Sequence, residues 1–204
     1  MFTIGVLASG KGSNLQAIIN QIESGFLKVK IGVVLSDNPQ SYALEIARSH
    51  GISAIFIEPG KYKTFLQPEQ EVKYVKCLEE HNVELVCLAG FMRVIKKNFF
   101  NSYSGRIINI HPSLLPSFRG LEAWKQALQY GVKFTGCTVH FVDEGIDTGP
   151  IILQAVVPVL DNDTPETLHQ RIQEKEHIIY PIAIKLIAEG KVKIEGRRVI
   201  IDED

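Results

Sequence analysis

Cysteine is scarce in this chain of 204 residues: three, Cys77, Cys87 and Cys137, far apart and in no CxxC pair. An odd count without that spacing suggests neither a disulfide framework nor a zinc ribbon. Cys87 lies in the apolar run "VELVCLAG", where a thiol reads as a small core residue. The six histidines form no HExxH or HxH pair, so no metal is expected. An excess of one charge is missing too. Twenty-two Lys and Arg against 23 Asp and Glu leave a net charge of −1, mixed along the chain. That argues against a nucleic-acid partner, which would normally meet a basic face, while a small charged ligand needs only a local cluster. Long apolar runs are absent. "MFTIGVLASG" has no basic segment and only a short apolar stretch, so neither a signal peptide nor a membrane span is expected. A reducing cytoplasm is the default compartment. Low-complexity linkers and internal repeats are also lacking.

What the chain does have is alternation. "FTIGVLAS" reads as a buried strand and "SNLQAIINQIESG" as a helix ending at Gly25. "KVKIGVVLSD", "SAIFIE" and "VELVCLAG" read as further strands, with "YALEIARSHG" and "EQEVKYVKCLEEHN" as the helices between them. Short apolar strands alternating with helices imply βαβ units and a parallel sheet, whose ligands bind beyond the carboxyl ends of the strands. "GRIINIH" continues the pattern as a central strand. Then the grammar changes. "CTVHFVDEGIDTGPIILQAVVPV" reads as an antiparallel hairpin around an acidic loop. A long helix follows, capped by Asp163 or Thr164, with Pro165 in its first turn, Pro181 expected to kink it, and Gly190 closing it. "KVKIEGRRVIID" reads as a terminal hairpin. The fold class is therefore α/β and Rossmann-like: a mostly parallel twisted sheet flanked by helices, with a β-hairpin and a long helix in the C-terminal half.

Two stretches carry candidate chemistry. In "VLASGKGSNLQAI", Gly10 and Gly12 allow a sharp turn, and the N–H groups opening the helix at Ser13 and Asn14 would face an anion, with Lys11 near. No Gly-Lys-Ser/Thr follows a Walker spacer, and Leu15 stands where a dinucleotide fingerprint has its third small residue. A terminal phosphate monoester fits better than a pyrophosphate. In "NIHPSLLPSFRG", Asn109 and His111 are two apart on a strand and project to one face, with Pro112 and Pro116 stiffening the next turn. Imidazole titrates near ~6.5, and a nearby carboxylate would hold it protonated. Asp147, in a tight turn of "DEGIDTGP", is the best candidate for that acid, whereas Asp143 and Glu144 read as solvated loop charges. A carboxamide and an imidazolium can both stabilise an oxyanion, which suits acyl transfer. The chain lacks a Gly-x-Ser-x-Gly elbow and an activated Cys, so direct transfer between two bound substrates is expected.

Taken together, "ASGKGSNLQAI", "NIHPSLLPSF-G" and "HFVDEGIDTGPII", with the links "VCLAGFMRVI" and "QEKEHIIYP", resemble the folate-dependent formyltransferases, the phosphoribosylglycinamide formyltransferases in particular. The resemblance runs from about Ile4 to Gly190. It implies transfer of a formyl group from 10-formyltetrahydrofolate, a co-substrate, to the amine of 5-phosphoribosylglycinamide (GAR) in purine biosynthesis. It places Asn109, His111 and Asp147 on the catalytic positions. It places Gly12, Ser13 and Asn14 on the substrate phosphate, and Gln173 and Glu176 on the rest of the ribonucleotide. Met92, Arg93, Val94 and Ile95 fall on the folate pocket, Arg93 within reach of the folate glutamate. The loop Val142, Asp143, Glu144, Gly145 and Ile146 falls on the pterin edge. The expected layout is one formyltransferase domain over 1–204: a phosphate-binding half (1–100), a catalytic and folate-binding half (101–190) and a terminal hairpin (191–204). A homodimer is left open.

Some positions depart from the pattern. Where relatives often carry a phosphate-binding Arg, "FLQPEQEVK" offers Gln67 and no Arg, which shifts the expected phosphate affinity to the Gly-rich loop and nearby lysines. Glu122 and Trp124 stand where some relatives have histidines, and Arg119 where Pro is common. Rival readings are another formyltetrahydrofolate enzyme and a redox dinucleotide module. The first is expected to need a further domain for which this length leaves no room. The second would use Asp37 as its ribose-binding acid.

Overall fold

The computed structural model describes residues 1–202. Apolar runs of four to seven residues form β1 (Thr3–Leu7), β2 (Lys30–Ser36), β3 (Ser53–Phe56) and β4 (Leu85–Leu88). Between them lie α1 (Ser13–Glu23), α2 (Tyr42–Ser49) and α3 (Pro68–Glu80). β1 pairs in parallel with both β2 and β4, and β2 with β3. Ile4, Val6, Leu7, Val33, Val34 and Leu35 are fully buried, as expected of parallel strands covered on both faces. The remaining main elements are α4 (Lys97–Tyr103), β5 (Ile107–His111), α5 (Ala123–Tyr130), β6 (Phe134–Phe141), β7 (Ile151–Pro158) and α6 (Pro165–Ala188). The seven strands run β3-β2-β1-β4-β5-β6-β7 in one sheet, and β8 (Val192–Glu195) and β9 (Arg198–Ile201) form a separate antiparallel pair. The chain divides into two compact units, Met1–Ile108 and Asn109–Asp204, with the boundary inside β5. The last two residues of the terminal hairpin expected over 191–204 lie outside the described residues.

The α/β alternation and the β6–β7 hairpin are as the sequence predicts. Thr164 caps α6: its hydroxyl accepts from the Thr167 N–H at 3.2 Å while the Thr167 hydroxyl accepts from the Thr164 N–H at 2.9 Å. Asp163 instead takes Arg171 in a two-pronged pair at 2.7 and 2.8 Å, which with two further donors holds its carboxyl well below the usual range. α6 continues through Pro181 to Ala188, and Gly190 follows with φ +72°.

Two helices escape the sequence reading. α4 has only seven residues and no side-chain cap of its own. Its opening N–H groups, on Lys96 and Asn98, are taken by the buried Glu71 carboxylate of α3, 25 and 27 residues earlier in the chain and outside any local signal. α5 has eight residues and opens at Glu122, held at φ +53° with no capping bond. Neither has the start signal by which a short helix is recognised.

Candidate active site

β5 ends on His111, and the two-residue repeat sends Asn109 and His111 to one face of the second unit. The β6–β7 loop brings the third group. Asp143 accepts from the Gly145 N–H at 3.1 Å and from the Thr148 hydroxyl, which ties the turn together. Asp143 is thus a structural anchor and not the solvated charge the sequence suggested, because the turn's own donors face it. A Cβ on Gly149 would sit 1.8 Å from the Phe141 carbonyl oxygen, so only glycine lets the returning chain come this close. Asp147 adopts φ +52°, a left-handed conformation that Asp tolerates better than most residues. Its carboxylate turns inward, with the side chain 12% exposed.

The result is a cluster of four side chains. Asp147 Oδ2 lies 3.4 Å from His111 Nδ1. His111 Nε2 lies 2.9 Å from the Phe118 carbonyl, so each ring nitrogen faces an oxygen that can only accept. The fourth member, His140 on β6, was not anticipated. Its Nδ1 sits 2.8 Å from the Phe141 carbonyl and must carry the hydrogen there. Burial pushes the His140 pKa down and keeps the ring neutral. Its Nε2 lone pair therefore accepts from the Asn109 amide nitrogen at 3.2 Å. That bond fixes which way the Asn109 amide points and leaves its second N–H for another acceptor. The segment after β5 folds back over the cluster, and the Gly120 N–H donates to Asp147 Oδ2 at 2.9 Å. Trp124, opening α5, stacks on His169 of α6 with centroids 3.7 Å apart and planes 3° from parallel. On α6, Gln173 is half-buried and Glu176 buried, three residues apart on one helix face.

In the first unit, Gly12 ends the Gly-rich turn at φ +72° and α1 opens without a side-chain cap. A Cβ there would also lie 2.9 Å from the Ala43 backbone, so glycine is required twice over. The Ser41 hydroxyl donates to the Gly10 carbonyl at 3.0 Å and buttresses the turn from α2. Ser13 is half-buried and Asn14 buried, whereas Leu15 is wholly core, which explains why no small residue stands at that position. The stretch Met92–Ile95 lies beside this turn: the Met92 N–H donates to the Ser9 hydroxyl at 2.9 Å. Ile95 is buried, while Met92 and Val94 are exposed apolar side chains. Arg93 Nε donates to Asp37 at 2.6 Å, and its guanidinium also donates to the Tyr62 carbonyl. This pair removes Asp37 as a free ribose-binding acid. It also occupies much of the fork that the resemblance aims at a folate carboxylate. In the second unit, Val142 is half-buried and Glu144, Gly145 and Ile146 are exposed on the β6–β7 loop. Among the described residues no group of His, Cys, Asp or Glu is placed to hold a metal ion, and no helix is long and apolar enough to cross a membrane.

Comparison with known proteins agrees with this layout. A family model described as "Formyl transferase" matches residues 3–184. The chain is 44% identical over 196 residues to the "Trifunctional purine biosynthetic protein adenosine-3" of Chironomus tentans, covering 95% of this chain and 14% of that protein. It thus spans about a seventh of that relative's length. It is 43% identical over 185 residues to the "Phosphoribosylglycinamide formyltransferase" of Bacillus subtilis, covering 91% of this chain and 94% of the other. The crystal structure of glycinamide ribonucleotide transformylase 1 from Symbiobacterium toebii superposes with a TM-score of 0.95 at 51% identity, covering 98% of this chain and 94% of that one. With the model match spanning most of its length, the chain belongs to the formyl transferase family, among the phosphoribosylglycinamide formyltransferases.

Proposed function

We propose that this protein transfers the formyl group of 10-formyltetrahydrofolate to the amine of 5-phosphoribosylglycinamide, giving formylglycinamide ribonucleotide and tetrahydrofolate. The observation that carries the reading is the meeting of Asn109, His111 and Asp147, residues 38 positions apart at the extremes, around one small volume with no nucleophilic Ser or Cys among them. Such a set can stabilise charge on an oxygen without forming a covalent enzyme intermediate.

The chemistry follows from where the hydrogens are. The substrate amine attacks the formyl carbon with its lone pair, and the C=O π electrons move to oxygen. The free N–H of Asn109 and the Nε2–H of His111, in its imidazolium form, donate to that oxygen. For His111 to do so, the Phe118 carbonyl must give up the place it holds at 2.9 Å. Asp147 balances the imidazolium and accepts, directly or through water, the proton that leaves the attacking nitrogen. The proton passes to the folate nitrogen as its bond to the formyl carbon breaks and the carbonyl re-forms. His140 contributes by orienting Asn109. Losing one oxyanion donor in such a site typically costs ~10²–10³ in rate.

The substrates are assigned by fit. The uncapped opening of α1 at Gly12, Ser13 and Asn14 offers backbone donors to a phosphate, and Gln173 and Glu176 offer polar groups to the ribonucleotide. The exposed apolar side chains of Met92, Val94 and Ile146 suit a flat pterin, and Arg93 contributes through backbone and shape, its charge being matched by Asp37. No step needs a metal. On this reading the protein works in the cytoplasm, and a homodimer is compatible with it. The test is direct: mix the protein with 10-formyltetrahydrofolate and GAR, and follow the absorbance change as the formyl group leaves the folate. Saturable dependence on both substrates is expected. Loss of formyl groups to water at an equal rate without GAR would refute transfer.

A further inference from the structure

The terminal hairpin of β8 and β9 carries none of the residues assigned to either substrate, yet its tip reaches the turn that holds Asp147. Glu195 pairs with Arg198, so Gly196 and Arg197 form a two-residue loop. Gly196 has φ +62°, and Arg197 is not among the left-handed residues. That is the pattern of a type II′ turn, whose tightness puts Arg197 at the very end of the hairpin. A terminal guanidinium nitrogen of Arg197 donates to the Thr148 carbonyl at 2.9 Å, across 49 positions of chain. β9 also packs against β7, the strand that leaves this turn, and all of these residues belong to the second unit. The Arg197 charge is not matched by an acid. Arg93 and Arg171 pair with Asp37 and Asp163, whereas among the described residues Arg197 has no carboxylate within 4.0 Å. No acid competes for its fork, and a bond from a charged donor is stronger than one between neutral groups.

Thr148 follows Asp147 directly, and it is gripped from two sides. Its hydroxyl donates to Asp143, inside the β6–β7 loop, and its carbonyl accepts from Arg197, outside that loop. Asp147 itself stands at φ +52°, a sparsely populated conformation for a residue with a side chain. Such a conformation costs energy and persists only where the surroundings hold it. The two contacts of Asp147 Oδ2, to the Gly120 N–H at 2.9 Å and to His111 Nδ1 at 3.4 Å, both depend on that backbone. Releasing the Thr148 carbonyl lets the turn relax, and a small displacement of a reacting group is amplified in rate.

We propose that Arg197 is a positioning residue for the reaction: by fixing the Thr148 carbonyl, the terminal hairpin keeps Asp147 aimed at His111. Its effect on rate rests on the formyl-transfer reading, whereas its effect on Asp147 rests on the geometry of the second unit alone. Arg197 touches neither substrate on this account. It acts through the backbone of the residue next to Asp147, so its contribution should vanish when Asp147 has no charge to offer.

The experiment uses the full chain. Arg197→Met keeps an unbranched stem and removes the donors. One exposed hydrogen bond of this kind corresponds to roughly three- to tenfold, so kcat should fall by about that factor. KM for GAR should stay within about twofold of native, since the phosphate turn is untouched. The melting temperature should move by no more than about 2 °C, because the hairpin tip is exposed. Arg197→Lys keeps a charged donor and should bring kcat back to within about twofold of native. In an Asp147→Asn background, adding Arg197→Met should lower kcat no further. A native kcat in Arg197→Met, or a full additional loss in the double variant, would overturn the proposal. So would a melting temperature lowered by more than about 5 °C with no recovery in Arg197→Lys, which would assign the arginine to stability. Amide exchange gives a readout that needs no turnover. The Gly120 N–H donates to Asp147 and should exchange about three- to tenfold faster in Arg197→Met, and an unchanged rate would also overturn the proposal. Faster exchange in a protein that transfers no formyl group would refute the reaction and keep the placement of Asp147.

Discussion

Replacing Asp147 by asparagine tests the site at the atom where its parts meet. Asp147 Oδ2 accepts from the Gly120 N–H at 2.9 Å and faces His111 Nδ1 at 3.4 Å, whereas Oδ1 lies 3.7 Å from His140 Nε2. The new amide can place its oxygen where Oδ2 was and keep both contacts. Its NH₂ then faces His140 Nε2, whose one lone pair Asn109 already uses. Asparagine also tolerates the φ of +52° found here. The cost is one NH₂ that must share an acceptor with Asn109, about 1–3 kcal/mol, a melting shift of roughly 2–10 °C for a chain of this size. Catalysis should suffer far more. The neutral amide neither balances an imidazolium nor takes a proton, and groups with such roles contribute about 10²–10⁴ in rate. At 1.36 kcal/mol per tenfold, that is roughly 2.7–5.4 kcal/mol of barrier. The assay is steady-state formyl transfer beside a thermal melt of the same preparation. A folded variant within about threefold of native kcat would remove Asp147 from the chemistry. A collapse in melting temperature would instead show that the charge holds the fold.

Two further outcomes follow from other buried groups. Burial lowers the pKa of His140, and that of His177 in the same direction, so the unfolded chain binds protons on these rings more readily than the folded one. The stability they lend is complete above the unfolded value near ~6.5 and is lost as pH falls through the lower folded values. Melting temperature should decline on acidification below about pH 6.5, and His140→Gln should make the decline shallower; an identical slope would exclude His140 as a source. Glu71, 2% exposed, gives one carboxylate oxygen to the Lys96 N–H and the other to the Asn98 N–H. Glu71→Gln turns an NH₂ toward one of these donors, which should cost about 1–3 kcal/mol in a denaturant titration, and an unchanged midpoint would mean that α4 is capped by something else.

Much of this protein is written locally. The βαβ alternation, the β6–β7 hairpin and the Thr164 cap of α6 are legible because each is set by residues within a few positions: apolar period, turn glycines, a capping hydroxyl. Asn109 and His111 could be paired by strand alternation alone, and Asp147 by its place in a tight turn. The Gly-rich opening of α1 was equally visible, although only the packing of Leu15 into the core explains why it departs from a dinucleotide loop.

What stayed hidden depends on atoms that meet only after folding. A histidine in the strand "TVHFV" reads as core, and its part in the site appears only when the Phe141 carbonyl fixes its hydrogen and Asn109 meets its lone pair. The Phe118 carbonyl on His111 and the Gly120 N–H on Asp147 are backbone groups, which every residue carries and no sequence pattern marks. α4 is capped by a carboxylate from α3, and Asp37 is matched by Arg93 across 56 positions. Short-range periodicity thus determined which elements form and which side chains leave their ends. Tertiary structure decided how those side chains are protonated, oriented and covered, because a hydrogen bond in a buried site depends on distances and solvent exclusion that no local stretch of chain contains.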